Sequence, residues 1–291
     1  MSTSALKIGF IGGGRMAKAL AQGFISGGLS KGENMIASFH PADAHLAENF
    51  QKLGVKTVFE NIPVLVEADM VVVAVKPSVV PVVLSDIKGV LSEHKDKLFL
   101  SLAMGVTIKQ LEKYLTSETR LIRVMPNTPA LVKSGVSVFV RGANATDRDV
   151  TLTKKLLSSV GTCDEVSEHL LDVVTALSGS GPAYVYVFIE SLADGAVKMG
   201  LPRDLAYRLA SQTVLGAGKM VRDTKIHPGI LKDDVMSPAG STAAALHYLE
   251  QRGKSGYESS SVTPVGFRSA IIGAVEEATK RCLQVSQSQK K

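Results

Sequence analysis

The turn Phe10-Ile11-Gly12-Gly13-Gly14-Arg15-Met16-Ala17 limits the fold of this chain more than any other segment. It follows the apolar run Leu6–Ile11 and opens a helical run that continues through Gly23. Gly12, Gly14 and Ala17 fit the spacing G-x-G-x-x-G/A. Small residues there let a strand turn tightly, a backbone approach a pyrophosphate, and the next helix pack on the sheet. Phosphates then face unpaired N–H groups at the positive end of the helix. Glycine-rich turns also end ordinary strands, so the weight lies in the position between a strand and a helix. Gly12, Gly13, Gly14, Arg15 and Met16 are therefore read as the seat of a nucleotide cofactor.

The first half of the chain repeats that unit. Short β-branched runs at Lys7–Ile11, Met35–Ser38, Met70–Val75, Leu98–Leu102, Leu121–Met125 and Val136–Val140 alternate with helical patterns. The helices are expected near Met16–Ser26, Ala42–Leu53, Val79–Leu91 and Thr107–Leu115. Such βα repetition implies an α/β Rossmann-type doubly wound parallel sheet with helices on both faces. Met70–Val75 is apolar throughout, as a central strand buried on both sides requires.

From about residue 165 the strand runs stop. Long helices are expected at Ala183–Met199, Arg203–Arg222, Ser241–Gln251 and Val265–Gln284. The chain thus divides into a nucleotide-binding domain, residues 1–165, and an all-α dimerisation and substrate domain, residues 166–291. In Ala183–Met199, Tyr184, Val185, Val187, Phe188, Ile189, Leu192, Ala196 and Val197 wrap most of the circumference. A helix apolar nearly all round must be covered on most sides. So short a helical domain offers little cover, which implies a partner subunit; a single compact bundle is the competing explanation.

Composition narrows the function classes. The 291 residues suit two domains of about 100–200 residues each. No apolar run nears the ~20 residues of a membrane span, so no membrane role is expected. The first residues show neither a secretory signal nor an Arg-rich transit pattern, and two cysteines, Cys163 and Cys282, form no short ligand motif. A reducing, cytoplasmic setting is expected. The net charge of +6 is spread along the chain, without a basic stripe or a tryptophan, which argues against nucleic acid. The six histidines are isolated and no metal motif occurs, so no metal is expected.

The second strand chooses between nicotinamide cofactors. A carboxylate about 20 residues past the glycines would grip a ribose 2′-hydroxyl. Here that strand ends Ala37-Ser38-Phe39-His40. Ser38 and His40 can hydrogen-bond a 2′-phosphate, and Arg15 can reach one. NADP(H) is the preferred reading, with NAD(H) allowed.

Gly/Pro-rich turns close the remaining strands, where open α/β sheets bind ligands. They read Ala74-Val75-Lys76-Pro77, Ser101-Leu102-Ala103-Met104-Gly105, Arg123-Val124-Met125-Pro126-Asn127-Thr128-Pro129 and Leu177-Ser178-Gly179-Ser180-Gly181-Pro182. Asp233-Asp234-Val235-Met236-Ser237-Pro238-Ala239-Gly240-Ser241-Thr242 follows. This ordered set, over nearly the whole chain, resembles the pyrroline-5-carboxylate reductases.

The resemblance implies that NAD(P)H reduces the C=N bond of 1-pyrroline-5-carboxylate to L-proline, the last step of proline biosynthesis. It also implies an interlocked homodimer and allows higher oligomers. Ser237, Gly240, Ser241 and Thr242 are the implied carboxylate cradle, with the Thr242 hydroxyl also at the ring nitrogen as the catalytic group. From the residues alone, the same segment reads equally as a capped helix start after a proline turn. Val75, Lys76, Pro77, Ala103, Gly105 and Asn127 are implied cofactor contacts, and Asn61 an implied contact at the adenosine end. A helix N-cap is an equal reading of Asn61. Met104, Thr128 and Pro129 border the same region.

Two other functions compete. A β-hydroxyacid dehydrogenase shares the domain plan but needs a lysine early in the first helix of the second domain. Pro182–Ala193 contains none, and Lys198 comes late. A non-catalytic NADP(H)-sensing protein would tolerate a degraded substrate loop, whereas Gly240-Ser241-Thr242 is intact.

Overall fold

The computed structural model describes residues 6–251 and positions 277, 279, 280, 283, 284 and 287. Most of the expected helix Val265–Gln284, and Cys282 with it, lies outside the described residues. The chain divides into two compact units, with the break between Pro182 and Ala183.

The first unit is built on one eight-stranded sheet. Its strands are β1 (Ile8–Ile11), β2 (Met35–Ser38), β3 (Lys56–Val58), β4 (Met70–Val73), β5 (Leu98–Ser101), β6 (Arg120–Met125), β7 (Gly135–Arg141) and β8 (Gly161–Glu165). Their spatial order is β3-β2-β1-β4-β5-β6-β7-β8, and every neighbouring pair is parallel except β6–β7. The order reverses direction between β1 and β4, which is where doubly wound sheets open a crevice at the strand ends. The register brings those ends level: Ile11 pairs with Ser38 and with Val73, and Val73 pairs with Ser101.

Pleating explains the two-sided core, because successive side chains on a strand point to opposite faces. Ile8, Phe10, Met70, Val72, Leu98 and Leu100 join one cluster with Leu20 and Phe24 of α1 (Arg15–Ser26) and Phe50 of α2 (Ala47–Gln51). Ile11, Val71, Val73 and Phe99 join the other. That face is covered by α3 (Ile62–Glu67), α4 (Val80–Leu91) and α5 (Ile108–Glu112). All four residues of β4 are buried, as its uninterrupted apolar sequence implies.

Several elements differ from the sequence expectation. The single helix expected over Ala42–Leu53 is a 3-10 segment, Pro41–Leu46, followed by the short α2. Pro41 starts the first piece, and Asp43 departs from helical angles (φ −103°, ψ 16°). The strands β3 and β8 and the helix α6 (Asp147–Ser158) were not expected. The division at residues 165/166 also differs, because the segment after β8 stays with the sheet. In it, Leu171 of α7 (Leu171–Val174) is buried in the second cluster. Glu168 Oε1 accepts hydrogen bonds from Arg123 Nη1 at 2.9 Å and from the Ile108 N–H at 2.8 Å. A π-helical turn, Thr175–Gly179, ends the segment.

The second unit contains α8 (Gly181–Lys198, most of its length), α9 (Arg203–Thr224), α10 (Pro228–Asp234) and α11 (Ser241–Gln251). Its small core is alanine-rich: Ala193, Ala206 and Ala210 are buried, with Ile189, Ala196, Val197 and Leu201 against them. Val185, Val187, Phe188 and Leu192 of α8 remain exposed, part of the apolar surplus the sequence pattern implied, and Tyr186 is exposed beside them. No helix of the described residues is long and apolar enough to cross a membrane.

Candidate functional site

The crevice at the strand ends is assembled from backbone first. Gly12 has φ +94°, a conformation that L side chains rarely adopt, and a Cβ there would stand 2.6 Å from Val75 Cγ1. Glycine therefore lets the ends of β1 and β4 meet. A Cβ on Gly13 would collide with the ring of Phe39. Phe39 cannot yield easily, because it packs edge-on against Phe50, ring centroids 5.3 Å apart. At Gly14 a Cβ would meet nothing within 4 Å, so the turn opens outward there.

Gly14 is the N-cap of α1, with no side-chain cap and no acidic residue in the first turn. The first N–H groups of that helix thus keep their hydrogen-bonding capacity for an anion. Arg15 is exposed beside it and Met16 is half-buried. A pyrophosphate-bearing cofactor fits this cradle: the backbone is unobstructed, the helix end is uncapped, and a cation is adjacent.

Around the cradle, Lys76 is exposed and opens a 3-10 turn at Pro77–Val79. Ala103 is buried, and its carbonyl accepts from the Val106 N–H at 3.4 Å. Gly105, with φ +74°, supplies the positive angle of that type II turn. Asn127 is almost fully buried and committed at both ends: Nδ2 donates to the Ser178 carbonyl at 3.0 Å, and Oδ1 accepts from the Val136 N–H at 2.9 Å. It clamps the Met125–Thr128 turn between β7 and the π-helical segment, a positioning role that spacing does not show.

Ser38 and Asn61, expected at the adenosine end, are in direct contact. Ser38 Oγ donates to Asn61 Oδ1 at 2.8 Å, and Asn61 Nδ2 donates to Asp86 Oδ2 at 3.1 Å. Asn61 occupies the N-cap position of α3 but makes no side-chain cap bond, so the capping alternative does not hold. His40 Nδ1 accepts from the Ala42 N–H at 3.2 Å, which in the neutral ring leaves the proton on Nε2.

The second candidate region is the loop before α11. Ala239 takes φ +54°, the Gly240 N–H donates to the Ser237 carbonyl at 3.0 Å, and a Cβ on Gly240 would collide with Ser237 Oγ. Ser237 and Ser241 are exposed, and Thr242 is half-buried. The first turn of α11 carries no acidic residue. N–H groups at the start of α11 and the neighbouring hydroxyls form a set chemically able to hydrogen-bond a small anion. Among the described residues there is no cluster of three or more His, Cys, Asp or Glu able to hold a metal.

A doubly wound sheet with an uncapped glycine turn at its switch point, joined to a helical unit, defines a Rossmann-type dinucleotide-binding protein. Residues 7–105 match the family described as NADP oxidoreductase, coenzyme F420-dependent, and residues 168–285 match pyrroline-5-carboxylate reductase dimerisation. The chain is 42% identical to pyrroline-5-carboxylate reductase 3 of Rattus norvegicus over 96% of each chain. It is 41% identical to the pyrroline-5-carboxylate reductase of Arabidopsis thaliana, covering 98% of this chain and 97% of that one. The crystal structure of the Plasmodium falciparum pyrroline carboxylate reductase with NADP bound superposes with a TM-score of 0.83 at 34% identity, covering 97% of this chain and 98% of that chain. The chain belongs to the pyrroline-5-carboxylate reductase family.

Proposed function

We propose that this protein reduces 1-pyrroline-5-carboxylate to L-proline, completing proline biosynthesis, with NADPH as preferred donor and NADH accepted. The observation that carries this reading is the open, uncapped turn Gly12–Gly14 at the switch point of a chain that belongs to this family throughout its length. The nicotinamide cofactor supplies the hydride when bound. Gly12, Gly13, Gly14, Arg15 and Met16 receive its pyrophosphate; Ser38 and Asn61 face its adenosine ribose. Val75, Lys76, Pro77, Ala103, Gly105 and Asn127 shape the cleft for the remainder.

The substrate is a cyclic imine that accepts hydride at carbon once its nitrogen is protonated. The protein therefore has to hold a carboxylate, steady a protonated nitrogen and fix the ring's orientation. Orientation of this kind is worth about 7–11 kcal/mol in favourable cases. The hydroxyls of Ser237, Ser241 and Thr242 and the N–H groups that start α11 hold the carboxylate, Gly240 shapes the turn by donating its own N–H to the Ser237 carbonyl, and Thr242 Oγ1 accepts from the ring N–H. In the balanced reaction, carbon gains the hydride and nitrogen retains its proton, giving the secondary amine.

The exposed apolar face of α8, with the groove lined by Tyr186, Val187, Ile189, Glu190 and Tyr207, suits an interlocked homodimer from which larger oligomers are built. The proposed compartment is the cytoplasm. A crystal soaked with oxidised cofactor and L-proline tests the reading. It is expected to show the cofactor pyrophosphate on the Gly12–Gly14 turn and the proline carboxylate on loop 237–242; either molecule bound elsewhere would refute it.

A further inference from the structure

The sequence rule for dinucleotide folds looks for a ribose-binding carboxylate at the end of β2, and this chain has Ser38 there. The structure instead links that serine, through Asn61, to a carboxylate on another element. Ser38 is the last residue of β2, pairs with Ile11, and its carbonyl accepts from the Gly12 N–H at 3.1 Å, so it stands beside the phosphate turn. Its hydroxyl donates to Asn61 Oδ1, and Asn61 passes the contact to Asp86 Oδ2 on α4. Ser38 is almost fully buried, whereas Asp86 is exposed at the outer end of the relay. Among the described residues no ion pair to Asp86 occurs, and its carboxylate contacts the Asn61 amide.

We propose that Asp86 is a specificity-determining residue that acts through Asn61 and sets the ratio of NADPH to NADH binding. This rests on the nicotinamide cofactor reading above. The hydrogen bond to Asp86 fixes the Asn61 amide with Oδ1 toward Ser38 and one Nδ2 proton still free for a ribose oxygen. The carboxylate then acts twice. It holds the amide in the orientation that serves a 2′-hydroxyl, and it repels the two negative charges of a 2′-phosphate at the same rim. Arg15 and Lys76, both exposed cations at neighbouring strand ends, pull the other way. A protein balanced between them binds both nucleotides.

The test is nucleotide binding by the full-length protein without imine, read by the fluorescence of NADPH and NADH at low and high salt. Asp86→Asn keeps an oxygen acceptor for Asn61 Nδ2 and removes the charge; Asp86→Lys reverses it. Both sit on an exposed helix position, and thermal unfolding checks that they fold. The Asn variant is expected to tighten NADPH about three- to tenfold, leaving NADH within about twofold, and the gain shrinks in high salt as screening replaces the lost charge. The Lys variant is expected to shift the ratio further in the same direction. An unchanged NADPH/NADH ratio in both variants would overturn the proposal. Failure of the parent protein to bind either nucleotide would instead refute the cofactor reading itself.

Discussion

Arg123 Nη1 lies 2.9 Å from Glu168 Oε1, and this pair ties the segment after the last strand to the sixth strand of the sheet. Arg123 is almost fully buried, with only 5% exposure, so its guanidinium has no alternative access to water. Removing the partner of a buried ion costs far more than the pair contributes, because an uncompensated charge remains. Glu168→Ala is expected to destabilise the protein by about 3 kcal/mol, at the lower end for such pairs because Glu168 is one-third exposed. Urea unfolding measures this, and a loss below about 1 kcal/mol would contradict it.

Gly13→Ala forces a methyl group against Phe39, whose ring is pinned by Phe50. Overpacking of this kind costs about 1–3 kcal/mol. Displacing Phe39 also moves the exit of β2, so nucleotide binding is expected to weaken together with stability. Chemical denaturation and an NADPH titration read the two effects; parent values in both would show that the ring yields freely.

Thr242→Ala removes one oriented hydroxyl from the loop before α11. The expected loss is about 1–3 kcal/mol of transition-state stabilisation, seen as a fall in kcat/KM for the imine. NADPH affinity is expected to stay at the parent value. Parent-like turnover in this variant would remove Thr242 from the catalytic account.

Burial, aided by the neighbouring Asp164 carboxylate, raises the Cys163 thiol from 9.0 to about 11. A raised value means that the neutral thiol is favoured in the folded state. Its contribution to stability is therefore complete below about pH 9 and is lost as pH rises through about 11. In a Cys282→Ser background, alkylation at pH 8 is expected to be much slower than for a free cysteine. Labelling at the free-cysteine rate would contradict this protection.

The sheet was legible where pattern and burial coincide. β4 is a run of four buried apolar residues, and the spacing of Gly12, Gly14 and Ala17 is met by a positive φ and an uncapped helix start. The edge strands were not legible. Lys56-Thr57-Val58 is three residues long, and Gly161–Glu165 pairs with β7 alone and ends in two exposed acids, so neither carries an apolar run. α6 did leave a readable signal, the capping box in which Thr146 and Asp149 bond each other's backbone N–H groups.

At the site, backbone features could be read from glycine spacing, because tight turns need small residues locally. The side-chain pairings could not. Asn61–Asp86 and Arg123–Glu168 join residues distant in the chain, and no local periodicity encodes which carboxylate reaches which partner. For the same reason the commitment of Asn127 to Ser178 and Val136 emerges only from the fold.

The most direct test follows the nicotinamide absorbance of purified protein mixed with NADPH, with and without 1-pyrroline-5-carboxylate, together with product identification. The expected result is oxidation only when the imine is present, with L-proline formed in equal amount and a lower rate when NADH replaces NADPH. Folded protein that binds NADPH yet leaves both nucleotides unoxidised in the presence of the imine would contradict the account.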